Sequence, residues 1–204
     1  MKDPYVEKAK QMNYRCRSAF KLLEIDNKFH IIRPGEVILD IGAAPGSWTQ
    51  VAVERANLSV FNKKFKGVII SVDVLPFEPI AGATALIRAD ITKLETVEKI
   101  KGLLGPRLAN CILSDMAPNA TGIKHLDHDS ITNLCYHVLK LSSLISEDGG
   151  NILMKAWDGG NISKLEKEIL KTYEIVRRIK PKSSRQDSAE IYLLGQHFKR
   201  QHVL

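Results

Sequence analysis

A Rossmann-like α/β fold is what this 204-residue chain predicts: a mostly parallel, doubly wound sheet with an antiparallel edge strand. Three observations carry that expectation. Short apolar runs alternate with amphipathic segments, a glycine-rich loop joins the first buried run to a helix, and successive runs finish in a carboxylate. Strands alternating with helices give a parallel sheet, and a helix-poor end gives an antiparallel strand pair at one edge.

The elements follow in order. Pro4 to Met12 reads as a short helix with Lys8 and Lys10 exposed. Ser18 is positioned to cap a second helix, whose apolar face is Phe20, Leu22, Leu23, Ile25 and Phe29. Arg15, Arg17 and Lys21 lie near its start. Val37 to Asp40 is a buried strand rich in β-branched residues, and Gly42 to Gly46 is the loop leading to a helix over Trp48–Asn57. Asn62 to Lys66 reads as a mobile basic insertion. Then come a strand over Gly67–Asp73, a strand over Thr84–Arg88 with Asp90 just beyond it, a helix over Val97–Leu104 and a strand over Asn110–Asp115. A long helix over Asp127–Ser146 precedes a turn at Gly149-Gly150 and a strand over Asn151–Lys155. The pattern closes with a helix over Ile162–Tyr173 and two strands, Ile175–Ile179 and Ala189–Leu194, joined by a polar loop over Pro181–Ser188. No repeat, low-complexity tract or domain boundary interrupts it, so residues 1–204 form one domain, with the basic helices of residues 1–35 as part of it.

The loop narrows the choice of ligand. A dinucleotide fingerprint needs G-x-G-x-x-G, whereas Gly42-Ala43-Ala44-Pro45-Gly46 has alanine where the second glycine belongs. Asp40, Asp73 and Asp115 end three strands and Asp90 follows a fourth. In a doubly wound sheet these ends line one rim, which suits S-adenosylmethionine, a nucleoside that carries a cation instead of phosphates. Asp73 would take the ribose, Asp90 the adenine amino group, and Asp115 would lie nearest the methyl. Taken singly, Asp40 or Asp73 reads better as a residue that merely caps a strand end.

Charge adds a partner. The formal net charge of +7 is concentrated at the two ends, +4 over residues 1–35 and +4 over residues 174–204, with −1 between. Basic ends around a near-neutral middle point to a polyanion, RNA or DNA. A solvated basic surface is the bland alternative. Three widely spaced cysteines, Cys16, Cys111 and Cys135, read as reduced thiols, with Cys111 in the core. No apolar run approaches a membrane span, and no signal-peptide pattern opens the chain. A removed targeting segment would leave no trace.

Four motifs, Arg17 to Leu22, Asp40 to Trp48, Ser114 to Asn119 and Ser184 to Tyr192, together resemble the FtsJ/RrmJ-like RNA ribose 2′-O-methyltransferases over nearly the whole chain. The resemblance implies the S-adenosylmethionine-dependent methyltransferase form of the fold and a catalytic set of Lys21, Asp115, Lys155 and Glu190. Cofactor contacts are implied at Gly42, Pro45, Gly46, Ser47, Trp48, Asp73, Asp90 and Asp115. Ser47 departs from the glycine or alanine common in the family, a small change. The reaction needs a ribose hydroxyl aligned behind the methyl and relieved of its proton. Lys155, at the end of an apolar strand facing Lys21, would be the base, depressed by burial and by the second cation; Asp115 and Glu190 would orient the lysines while opposing that depression. Without the resemblance, Lys155 reads as a strand-end lysine reaching solvent.

After the strand that ends at Asp115 comes Met116-Ala117-Pro118-Asn119, without the aromatic that base-methylating enzymes use to stack a flipped base, so the target is a sugar hydroxyl. RNA phosphates would be held by Lys8, Lys10, Arg15, Arg17, Arg177, Arg178, Lys180, Lys182 and Arg185. The stretch from Asp115 to Gly122 and Leu126 to Asp129 is most similar to the family's mitochondrial branch, which implies a uridine ribose of large-subunit ribosomal RNA, a role in ribosome biogenesis and a mitochondrial location. Anticodon-loop methylation of tRNA, an RNA-binding assembly role without catalysis, and a cytoplasmic location are the alternatives. Methylation of a protein or small molecule fits the basic ends less well. His125, Asp127, His128 and Asp129 match no metal-ligand spacing, so no metal is expected, and neither is an oligomer.

Overall fold

In a computed structural model, residues 3–57, 67–118, 122–159 and 161–200 are described. The basic stretch Asn62 to Lys66, and Asn119, lie outside the described residues. Thirteen elements run in the order α1 (Pro4–Gln11), α2 (Ala19–Phe29), β1 (Val37–Ile41), α3 (Ser47–Ala56), β2 (Val68–Asp73), β3 (Ala83–Ile87), α4 (Leu94–Leu104), β4 (Ala109–Ser114), α5 (Lys124–Ile145), β5 (Ser146–Trp157), α6 (Ile162–Ile169), β6 (Tyr173–Ile179) and β7 (Glu190–Phe198). The seven strands order as β3-β2-β1-β4-β5-β7-β6. The first five are parallel, and β7 runs antiparallel to both β5 and β6.

Strands buried on both faces explain the unbroken apolar runs. Along β1, Val37, Leu39 and Ile41 enter one core with Ile100, Val138 and Ile169 of α4, α5 and α6, while Ile38 enters the other core with Leu22, Trp48 and Val51 of α2 and α3. The same alternation sends Cys111 and Leu113 of β4, Leu153 of β5 and Tyr192 of β7 to the α2–α3 side. Two residues beyond Leu113 and Leu153, the alternation continues to Asp115 and Lys155. This face therefore carries the polar residues at the strand ends.

Several boundaries differ from the sequence reading. Ser18 precedes α2 without bonding the helix backbone through its side chain; its hydroxyl instead meets the Ser47 hydroxyl at 2.8 Å, because the chain here turns under the loop after β1. Helix α6 stops at Ile169, and Tyr173 starts a strand, its buried ring edge-on to Phe198 at 5.2 Å. Strand β5 begins at Ser146, before the Gly149-Gly150 turn. Ala109 pairs with Ser146 and Cys111 with Asn151, so the intervening residues bulge.

Gly195 marks where β7 meets α6. A Cβ there would lie 2.8 Å from Ile152 Cγ2, 2.9 Å from Ile169 Cγ2 and 3.0 Å from Tyr173 Cγ. Gly195→Ala should cost about 1–3 kcal/mol of stability by overpacking, read from urea unfolding. An unchanged midpoint would contradict this packing account.

Candidate active site

The loop after β1 is fastened to its neighbours by backbone groups. Gly42 and Ala43 donate their N–H groups to Val72 O at 2.8 and 3.2 Å, and Ala44 donates to Asp73 Oδ2 at 2.8 Å. Gly42 has φ +76°, and a Cβ on it would run into Met116, so the loop and the segment after β4 meet only because this residue is glycine. Arg15 closes the outer side. Its guanidinium donates to Pro45 O at 2.7 Å, Pro79 O at 3.2 Å and also Glu78 O, joining the loops that follow β1 and β2.

Between these loops lies a cleft of about 450 Å³, bordered by Gly42, Ala44, Asp73, Leu75, Asp90, Ile91, Asp115 and Met116. Each carboxylate arrives from the end of a different strand. Asp73 is held by the N–H of Ala44 and of Leu75, the latter at 2.7 Å. Asp90 accepts from Thr92 N and Oγ1 at 2.9 and 2.8 Å, and those hydrogen bonds keep its carboxyl below the ordinary range.

Three charged side chains, Lys21, Lys155 and Glu190, gather beside Asp115. Lys21, in the first turn of α2, reaches Glu190 with Nζ 2.6 Å from Oε1 and 2.8 Å from Oε2. Lys155 Nζ lies 3.1 Å from Asp115 Oδ1 and also donates to the Asp115 carbonyl. Both pairs are largely withdrawn from solvent, with side-chain exposures of 13% and 12% in the first and 9% and 16% in the second. Burial works against ionising Glu190, but Lys21, the Ser184 hydroxyl and the charge of Lys155 outweigh it and hold the carboxyl below its usual range. Tyr192 had no assigned role in the sequence reading. Its hydroxyl donates to Asp115 Oδ1 at 2.7 Å, and it is the direct ladder partner of Lys155. The signal was the strand period, which puts Tyr192 on the same face as Glu190.

Other implied contacts are elsewhere. Ser47 and Trp48 are buried and do not border the cleft. Ser47 meets Cys16 and Ser18, while Trp48 donates to Ser18 O at 2.9 Å with its ring against Tyr192, so both seat the loop from beneath. Pro45 and Gly46 lie at the outer edge under Arg15. Several of the basic residues are engaged within the protein: Arg15 as above, Arg17 with Asp3 and Ser183 O, Arg178 with Glu166 and Asp158, Lys10 with Glu7, Arg177 with Gln196, and Lys180 with Ser188 O. Lys8, Lys10, Arg177, Lys180, Lys182 and Arg185 are exposed. Glu24 of α2 accepts from Lys182 N and Ser183 N, which docks the loop between β6 and β7 on the N-terminal helices and brings the two basic ends together.

The family model for FtsJ-like methyltransferases matches residues 14–198. The chain belongs to this family. It is 52% identical over 198 residues to rRNA methyltransferase 2, mitochondrial, of Drosophila melanogaster, spanning 97% of this chain and 79% of that protein. It is 40% identical over 200 residues to the ribosomal RNA large subunit methyltransferase E of Cereibacter sphaeroides, spanning 98% and 81%. Among solved structures, a Plasmodium falciparum chain assigned as a ribosomal RNA methyltransferase superposes with a TM-score of 0.79 at 31% identity, over 91% of this chain and 98% of that one. This FtsJ-like methyltransferase thus carries a rim of two lysine–carboxylate pairs next to an acidic cleft, a candidate active site.

Beneath the rim, Asp40 is fully buried. Its Oδ2 accepts from Thr49 Oγ1 at 2.6 Å, and its Oδ1 is without a hydrogen-bond partner among the described residues. Burial, with the charges of Asp115 and Asp73 and against the Thr49 hydrogen bond, pushes its carboxyl from 3.8 to about 7. Between those values the native state holds a proton that the unfolded chain has released, so this group lowers stability as pH rises from 3.8 to about 7. Asp40→Asn removes the titration. The stability of the variant relative to the parent should rise by a few kcal/mol across that range, measured by denaturant unfolding at several pH values. A difference independent of pH would remove Asp40 as the cause.

Proposed function

We propose that this FtsJ-like methyltransferase moves a methyl group from S-adenosylmethionine to the 2′-hydroxyl of a uridine in large-subunit ribosomal RNA, in mitochondria, in support of ribosome biogenesis. The observation that carries the reading is Asp115, which borders the acidic cleft and through the same carboxylate is paired with Lys155. A cofactor site and a proton-handling site then share one side chain. The names of the relatives support ribosomal RNA as substrate, and the Drosophila relative supports the compartment.

The cleft suits this cofactor on chemical grounds. Three carboxylates border it, and no Lys or Arg does among the described residues, so a sulfonium and an α-amino group fit where a pyrophosphate would not. Asp73 would take the ribose hydroxyls, Asp90 the adenine amino group between the apolar walls of Leu75 and Ile91, and Gly42 and Asp115 would border the amino-acid part. When bound, the cofactor supplies an electrophilic methyl group. The rim supplies alignment and proton removal. Lys155 Nζ is the group assigned to the proton of the ribose hydroxyl, and Asp115 and Tyr192 hold it in place. Glu190 holds Lys21 on the other side of the hydroxyl, and the buried setting keeps water from competing. The exposed basic residues of α1, β6 and the β6–β7 loop would take backbone phosphates, adding affinity without reading sequence.

Transfer of labelled methyl from S-adenosylmethionine to large-subunit ribosomal RNA, with tRNA in parallel and nuclease digestion to locate the product, tests this directly. A single 2′-O-methyl uridine in the ribosomal RNA is expected. Label in tRNA alone would reassign the substrate, and label in neither would favour an assembly role. Lys155→Ala should lower turnover by about 10²- to 10⁴-fold while cofactor binding stays nearly intact. Turnover near the parent's would take Lys155 out of the reaction. Asp73→Ala should do the reverse, weakening cofactor binding in calorimetry; unchanged affinity would mean that the ribose lies elsewhere.

A further inference from the structure

Behind the Lys21–Glu190 pair a second cavity opens, about 240 Å³ in volume and lined by Arg17, Lys21, Arg185, Ser188 and Glu190. Its charges do not balance. Three cations line it against one carboxylate, and that carboxylate is taken by Lys21 and the Ser184 hydroxyl. Arg17 is fixed from behind by Asp3 and Ser183 O, which orients its guanidinium and leaves its side chain 17% exposed. Arg185 is exposed and makes no hydrogen bond or ion pair among the described residues, yet its charge is close enough to be felt at Arg17. Asp3 offsets only Arg17, so the Arg185 guanidinium beside it is without a counter-charge among the described residues; an anion would supply one, and a planar fork of N–H donors matches phosphate oxygens.

The position of the cavity limits which anion this is. It shares Lys21 and Glu190 with the rim to which the ribose hydroxyl is assigned. In a polynucleotide the 2′-hydroxyl and the 3′-phosphate sit on adjacent ribose carbons, whereas the 5′-phosphate is further round the sugar. We propose, resting on the ribose-methylation reading above, that Arg17 and Arg185 form a subsite for the phosphate on the 3′ side of the nucleotide being methylated. The enzyme then recognises its target as an internal nucleotide, by the group next to the reacting hydroxyl. The subsite also adds to alignment, since a phosphate held beside Lys21 fixes the sugar from which the hydroxyl projects.

The test uses the RNA fragment that the parent enzyme methylates and two oligonucleotides truncated at the target nucleotide, one ending in a 3′-phosphate and the other in a 3′-hydroxyl. Each is assayed for methyl transfer and for competition against the intact fragment. With the parent enzyme the 3′-phosphate form should act about tenfold or more better than the 3′-hydroxyl form, the effect expected of a charge-assisted pair. In Arg185→Ala that ratio should collapse toward one, while Lys101→Ala, whose lysine on α4 pairs with Glu98 outside the cavity, should keep it. A ratio is read within each variant, so loss of folded protein cancels. A ratio near one in the parent enzyme, whether both oligonucleotides act or neither does, overturns the subsite, as does a ratio that persists in Arg185→Ala. Failure of the intact fragment to accept any methyl is a different result, and it overturns the methylation reading itself.

Discussion

The carboxylate of Asp115 takes Lys155 Nζ and the Tyr192 hydroxyl on one oxygen, and the rest of the rim depends on that junction. Three strands meet there. Asp115 follows β4, Lys155 belongs to β5, and Tyr192 to β7. The ladder pairs Lys155 with Tyr192, so both side chains emerge on the face covered by α2, where Lys21 waits. A one-residue slip of β7 would send Tyr192 to the opposite face and take Glu190 away from Lys21, which makes the register as important to the chemistry as the residues themselves.

Much of the frame was legible in the sequence, because buried parallel strands leave a strong signature: an apolar run, then a carboxylate, then a turn. That signature identifies the strands preceding Asp73 and Asp115 and the loop after Asp40. Boundaries were less legible where two structures compete for the same residues. Tyr173 fits an amphipathic helix in sequence, but its ring is buried against Phe198 across two strands, and tertiary packing overrides the local pattern. The bulge in β5 falls on Gly149-Gly150, a pair that reads locally as a turn.

The site itself was legible in part. A motif supplies residue types, while the side from which each one acts comes from the fold. Ser47 and Trp48 stand in the most recognisable motif of the chain, yet they face downward, packing against Ser18 and Tyr192. Arg15 and Arg17 read as surface cations. In the structure one ties together the two loops that flank the cleft, and the other is anchored to Asp3 and Ser183. No spacing rule announces either role, since their partners are backbone carbonyls or residues remote in the chain.

Reversal of one strand has a consequence for how the molecule assembles. In an all-parallel sheet the rim at the carboxyl ends receives only residues that finish strands. Because β7 runs the other way, it delivers its first residue, Glu190, to that rim, 169 positions after Lys21. The closing contact of the rim is therefore among the most distant along the chain, of the kind whose loop-closure entropy delays it in folding. The acidic cleft takes its carboxylates from the ends of β2, β3 and β4, all of which precede the hairpin of β6 and β7 in the chain. In the order of synthesis the residues of the acidic cleft come first and the complete set of lysine–carboxylate pairs last.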